Sequence, residues 1–212
     1  MEKNYNVKYG DNNNFFVTEQ VEDNSVVLDI GCWNGNNWNY LINNKKCLVD
    51  GIDFDNESLK IAKNNWYKDI FCLNLNENYN IDFLEDNKYD FIILADILEH
   101  LIYPESLLLL LKNKLKVGGS IIISVPNIAF VLYRYKLLVW IFEYSRKGGV
   151  MDINHLRFFT KNTIQKLSVD AGYSIELFKG YNIVKDRFFF LRFLWRIFPS
   201  LFALQFLVKL KK

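Results

Sequence analysis

Residues 26–35 read Val-Val-Leu-Asp-Ile-Gly-Cys-Trp-Asn-Gly (VVLDIGCWNG), and residues 37–43 continue Asn-Trp-Asn-Tyr-Leu-Ile-Asn. A short apolar run that stops at a glycine and passes into a helical stretch is a strand–loop–helix unit. The run does not alternate apolar with polar residues, so strand 26–30 is expected to be covered on both faces, as central parallel strands are. Gly31 and Gly35 let the backbone turn tightly and approach a ligand closely. The dinucleotide fingerprint would also need glycines at 33 and 36, where this chain has Trp33 and Asn36. Those glycines serve a pyrophosphate. The loop therefore argues against NAD or FAD and leaves room for a cofactor without phosphate.

Outward from this unit the pattern repeats. Further strands are expected at 47–53, 69–73, 89–95 and 120–125, with helices at 37–43, 56–65 and 104–115 between them. The last helix starts after Pro104, has Glu105 in its first turn and stops before Gly118-Gly119. Such alternation implies βαβ crossovers and a doubly wound α/β fold. Beyond Pro126 the rhythm changes. Residues 128–147 read as an amphipathic, aromatic-rich helical insertion closed by Lys147-Gly148-Gly149. A helix at 160–171, a strand at 174–179, an aromatic helix at 187–197 and a strand at 202–209 follow. The expected whole is one domain over residues 1–212. Its sheet is mostly parallel and seven-stranded, with an antiparallel hairpin at one edge and a lid insertion at about 128–157.

Composition bounds the function. Half of the 212 residues are apolar and 17% are aromatic, enough for a well-packed core. Lys and Arg number 26 against 24 Asp and Glu, so nothing calls for a nucleic-acid partner. Cys32, Cys47 and Cys72 follow no metal-ligand spacing and read as small buried hydrophobes in a reducing compartment. No metal site is expected. Residues 1–14 are polar and Asn-rich with no apolar core of a signal peptide, so a cytoplasmic location is expected. Near the C-terminus the longest uncharged run, Ile197 to Val208, contains Pro199 and falls short of the roughly 20 residues that span a bilayer. Arg187, Arg192, Arg196, Lys209, Lys211 and Lys212 beside aromatic residues leave two readings, burial against the sheet or peripheral membrane contact.

Asp53 ends the second strand. A carboxylate there can accept hydrogen bonds from both hydroxyls of a ribose. The blander role is to cap the next helix, which suits Asp55 better because Asn56 and Glu57 follow it directly.

With these residues in view, VVLDIGCWNG, GIDFD (51–55), YDFIILADILEHLIYP (89–104) and KVGGSIIISVPN (116–127) resemble the successive motifs of class I methyltransferases dependent on S-adenosylmethionine (SAM). VMDINHLRFFTKNTIQKLSVDAGYSI (150–175) resembles a bacterial branch found with sugar- and polysaccharide-modifying enzymes and related to a methionine-biosynthesis-associated group. The resemblance runs from about residue 25 to 210. Trp33 departs from it, since most relatives have glycine there. Trp adopts positive φ only at a cost, so the loop is expected to turn differently or to gain clearance from another residue.

The resemblance implies a cofactor lying across the strand ends, held by the loop residues Gly31, Cys32 and Gly35 and by Asp53. Asp29 would lie near the methionine ammonium, or else tie down the loop backbone. Phe54 and Leu75 would wall the adenine, and Asn74 would accept from its amino group. Ala95, Asp96 and Ile97 would flank the sulfonium, unless Asp96 is a helix cap.

Methyl transfer needs alignment of the acceptor, and a hydroxyl acceptor also gains from a base. Only two histidines exist. His100 could be a base or could bond a backbone carbonyl; His155, at the mouth of the lid, is the better base candidate. Tyr133 and Arg157 are candidate acceptor-binding residues, although Arg157 could equally anchor the lid to a carboxylate such as Asp152. The aromatic insertion covers the acceptor or pairs two copies in a homodimer. The expectation is a SAM-dependent O-methyltransferase acting on a small or saccharide-related molecule. The alternative is a SAM-binding partner or regulatory protein with little catalysis.

Overall fold

The computed structural model describes residues 15–35, 39–181 and 198–212. Strands β1 (Val26–Ile30), β2 (Leu48–Asp53), β3 (Ile70–Cys72), β4 (Tyr89–Ala95), β5 (Leu115–Pro126), β6 (Ser174–Tyr181) and β7 (Gln205–Lys211) form one seven-stranded sheet in the order β3-β2-β1-β4-β5-β7-β6. The β1–β2, β2–β3, β1–β4 and β4–β5 pairs are parallel, while β7 runs antiparallel to both β5 and β6. The last strand is thus slotted inside the edge.

The lack of alternation in β4 follows from two cores. Ile92 and Leu94 belong to one buried cluster with Leu28, Leu107 and Leu111, whereas Ile93 belongs to the opposite cluster with Val27, Val49 and Leu207. Successive strand residues point to opposite faces, so both must be apolar. Each fully buried Leu, Ile or Val contributes about 1.5–3 kcal/mol.

The helices start where their capping chemistry directs. In α2 (Asn56–Asn64), Asp55 accepts from the backbone of Glu57 and Ser58 at 3.4 and 3.2 Å, satisfying donors at the helix start. Helix α3 (Pro104–Lys114) carries proline in its first turn and buries Leu107, Leu108 and Leu111. Helix α5 (Lys161–Asp170) has a reciprocal Thr160–Thr163 capping box. A four-residue helix α1 (Phe15–Thr18) opens the described chain.

Three expectations change. Residues 128–147 are not one amphipathic helix: α4 spans only Val131–Leu138 and buries none of its residues. Trp140, at φ 63°, ends it, with Ile141 N–H donating to Lys136 O, and Gly148 and Gly149 also take positive φ. Cys72 is exposed on the edge strand rather than buried. The helix at 37–43 is described only as a π-helical segment from Asn39 to Asn44. The expected helix at 187–197, with Arg187, Arg192 and Arg196, lies outside the described residues. Among the described residues no helix is long and apolar enough to cross a membrane.

Candidate functional site

The chain runs outward from β1 to β2 and β3, then returns to β4 and β5 on the other side. In open α/β sheets the crevice beyond the strand ends at such a reversal is where ligands bind. Here it lies beyond Ile30, Asp53 and Ala95.

On the β1 side, Gly31 and Cys32 N–H both donate to Ile52 O, at 2.8 and 3.1 Å, and Gly35 N–H closes back on Cys32 O at 2.8 Å. Gly31, Trp33 and Gly35 have φ of 74°, 46° and 82°. Trp33 therefore does take the left-handed conformation expected to be avoided. Its N–H donates to Asp53 Oδ2 at 2.7 Å, while Asp55 N–H donates to Asp53 Oδ1 at 2.9 Å. Burial pushes the Asp53 carboxyl above its usual range, opposed by these backbone donors. Each oxygen still has a second lone pair. Asp55, not Asp53, caps α2.

Asp29 lies beneath the loop, 1% exposed, and its Oδ2 accepts from the Tyr67 hydroxyl at 2.6 Å. Cys32 points its side chain into the core, where its Sγ would lie 2.7 Å from any Cβ at Gly51. Asn34 Oδ1 is buried with no hydrogen-bond partner among the described residues. Phe54, 72% exposed, stands just past β2. Asn74 is turned into its own loop: Oδ1 accepts from Asn76 N–H at 3.1 Å and Nδ2 donates to Glu77. Leu75 is buried in the core.

On the β4 side, Asp96 follows Ala95 at φ 54°. It does not cap the 3-10 turn Leu98–His100, whose first position is held by Ile97 without a side-chain bond. Instead Asp96 Oδ1 accepts from Ser124 Oγ at 3.1 Å and Gln205 Nε2 at 3.0 Å. Burial pushes the Asp96 carboxyl up to about 6 despite these donors. Ile97 lies over the glycine loop, its Cδ1 2.9 Å from where a Gly31 Cβ would stand.

The turn brings the two histidines together. Their ring centroids are 4.8 Å apart at 76°. His100 Nδ1 bonds Asn154 O at 3.1 Å and His155 Nδ1 bonds Val150 O at 3.0 Å. Burial lowers both imidazoles below their usual value. Leu156 and Arg157 N–H donate to Glu99 O at 2.8 and 3.0 Å, joining the two motifs. The Arg157 side chain anchors to Ile102 O through Nε and Nη2, not to Asp152. Tyr133 lines a cavity of about 230 Å³ with Ile128, Leu137, Phe142, Gly148 and Met151.

Sequence reasoning missed Glu99, Ser124 and Gln205. Glu99 had a signal: a carboxylate between Leu98 and Leu101, both of which are buried. Ser124 and Gln205 had none, because only strand pairing places them beside Asp96.

Do these residues fit a SAM-type cofactor? The crevice offers an acceptor carboxylate, Asp53, and residues 31–44 contain no Lys or Arg. That set suits ribose hydroxyls, and the loop gives a phosphate no basic side chain. The exposed Phe54 ring suits a base. The residues fit.

A family model described as methionine biosynthesis protein MetW matches residues 12–169. The protein named Putative methyltransferase 235L of Invertebrate iridescent virus 6 is 31% identical over 122 residues, which cover 57% of this chain and 44% of that protein. The chain thus spans less than half the length of this relative. A SAM-dependent methyltransferase of Thermotoga maritima superposes with a TM-score of 0.67 at 16% identity, covering 94% of this chain and 88% of that one. One from Archaeoglobus fulgidus gives 0.63 at 17% identity, covering 94% and 90%. At such identities these likenesses establish the Rossmann-like methyltransferase fold.

Proposed function

The chain belongs to the family of the methionine biosynthesis protein MetW, and we propose that it is a SAM-dependent methyltransferase that methylates a hydroxyl of a small or saccharide-related acceptor. The observation that carries this reading is the carboxylate-lined crevice between Gly31, Asp53 and Asp96 at the sheet reversal, whose glycine loop carries no Lys or Arg. Bound there, SAM supplies a methyl group already activated on a sulfonium.

The chain's own residues then have distinct tasks. Asp53 holds ribose hydroxyls, and Phe54 and Leu75 flank the base. Asn74 serves the adenine amino group if its loop bond to Asn76 opens. Asp29 supports the loop from below through Tyr67, and Gly31 leaves space for the methionine moiety once the end of Ile97 rotates away. Ala95, Asp96 and Ile97 border the reacting centre. Residues 128–157 act as a lid over the acceptor, with Tyr133 in its wall and Arg157 pinning its base to the loop at Ile102. The histidine pair serves the acceptor oxygen.

Calorimetry tests the reading. SAM or its demethylated product should bind at micromolar or tighter affinity, and radiolabelled SAM should label an acceptor from metabolite pools. Trp33 in the glycine loop and a supply of bases limited to two histidines favour one second reading, a SAM-binding partner or regulatory protein with little catalysis. Binding without any transfer in a single-turnover assay would support that reading instead.

A further inference from the structure

Beside the strand ends, three ligand-type side chains converge. Glu99, His100 and His155 each offer one ligand atom, and these atoms all lie within 4.8 Å of one another. Glu99 is 1% exposed, and its Oε2 is buried with no hydrogen-bond partner among the described residues. A buried acceptor left unpaired costs roughly 1–3 kcal/mol, and more when charged. An orphaned carboxylate oxygen beside two imidazoles therefore points to a missing cation.

The imidazoles are oriented to match. A carbonyl oxygen only accepts, so the bonds from His100 Nδ1 to Asn154 O and from His155 Nδ1 to Val150 O place the proton of each neutral ring on Nδ1. Nε2 of each ring then carries the lone pair. Backbone carbonyls that fix the tautomer and orientation of a ring in this way are the usual outer support of histidine metal ligands. The backbone N–H groups of Leu156 and Arg157, donating to Glu99 O, hold the two segments in register.

We propose that Glu99, His100 and His155 bind one zinc-class divalent ion through a carboxylate and two imidazoles, leaving further positions open. Two histidines with one glutamate is a ligand set that zinc accepts, and open positions distinguish reactive sites from closed structural ones. With Zn–N near 2.0–2.1 Å, a set spread over 4.8 Å draws in by about 1 Å on binding. This site departs from the expectation that no metal would be held, which considered only cysteine spacing. Its role rests on the methyltransferase reading above: the open positions would hold the acceptor hydroxyl and lower its pKa, so its proton passes to bulk water, the oxygen bonds the methyl carbon and the S–CH3 bond breaks to leave the demethylated cofactor, in place of direct proton removal by a histidine.

The test uses the full chain after chelator treatment, titrated with Zn²⁺ and with Co²⁺. Zn²⁺ should bind at one equivalent with micromolar or tighter affinity, and Co²⁺ should give visible d–d absorption. Because the chain has two histidines, long-range ¹H–¹⁵N NMR reads both rings: each should be the Nδ1–H tautomer without metal, and each Nε2 should shift on adding Zn²⁺. Glu99→Gln and His155→Ala should each weaken Zn²⁺ at least about tenfold, while Cys72→Ser should not. His155 is only half-buried, so its variant keeps the test valid if Glu99→Gln fails to fold. No saturable Zn²⁺ binding, or a smaller loss in the folded variants, overturns the site. SAM calorimetry runs in parallel: SAM bound without Zn²⁺ sinks this inference alone, and Zn²⁺ bound without SAM sinks the methyltransferase reading alone.

Discussion

The N–H of Trp33 donates to Oδ2 of Asp53 across 2.7 Å, and it does so from a left-handed backbone at φ 46°. Left-handed geometry costs a residue with a Cβ roughly 1–2 kcal/mol. A charge-assisted bond of the kind Asp53 makes contributes about 1.5–3 kcal/mol, enough to hold Trp in that geometry. One carboxylate therefore shapes the loop and faces the proposed ribose position. The two roles are coupled.

The coupling predicts a graded series at Asp53. Asp53→Ala should weaken SAM, or its demethylated product, at least tenfold, about 1.4 kcal/mol, and should also lower the melting temperature by releasing Trp33. Asp53→Asn keeps one acceptor oxygen and should fall between. Calorimetry and thermal melts on the same samples read both effects. Unchanged affinity in folded Asp53→Ala would remove Asp53 from the binding site.

Gly31 is constrained twice, by its φ of 74° and by Ile97 Cδ1 standing 2.9 Å from any Cβ added there. Gly31→Ala should cost about 1–2 kcal/mol from backbone geometry, and more from the clash. Ile97→Ala should relieve the second part only. In denaturant melts the double variant should cost less than the sum by about 0.5 kcal/mol or more. Strict additivity would show that the two residues do not press on each other.

Asp55 provides a pH-dependent stability term. Its hydrogen bonds, first that from Ser58 Oγ and then those from the backbone, lower its pKa in the folded state. The stabilisation is therefore present above the unfolded pKa, about 3.9, and is lost as pH falls through the lower folded value. Asp55→Ala should cost about 0.5–2 kcal/mol at pH 7. The gap from the wild type should close in strong acid. Chemical denaturation at several pH values measures it, and a gap independent of pH would mean that capping charge plays no part.

The segment carrying His155 and Arg157 should serve the acceptor and not the cofactor. His155→Ala and Arg157→Ala should keep SAM affinity within about threefold, roughly 0.7 kcal/mol, while slowing methyl transfer at least tenfold. Since Arg157 pins the segment to Ile102 O, its variant should also speed amide exchange across 139–157. Full activity in both variants, with protection unchanged, would make this stretch ordinary scaffold.

How much of this was legible from residues alone depended on the range of the forces involved. The apolar runs at 26–30 and 89–95 declare central strands because burial on both faces must be written into every position. Pro104 and Asp55 mark helix starts because capping acts within one turn. The insertion misled because its aromatic residues look amphipathic, whereas Trp140 ends the helix early and α4 finds no core to pack against.

Locally written information thus determined the order of strands and helices, the glycine loop and the acidic strand end. Tertiary structure alone decided what those residues do to one another. It set Asp53 against Trp33, brought Ser124 and Gln205 from β5 and β7 to Asp96, and placed His155 on His100 beside an orphaned Glu99 carboxylate. Each such pairing joins residues far apart in the chain, and its energy depends on a distance and an orientation that arise only once the sheet has closed.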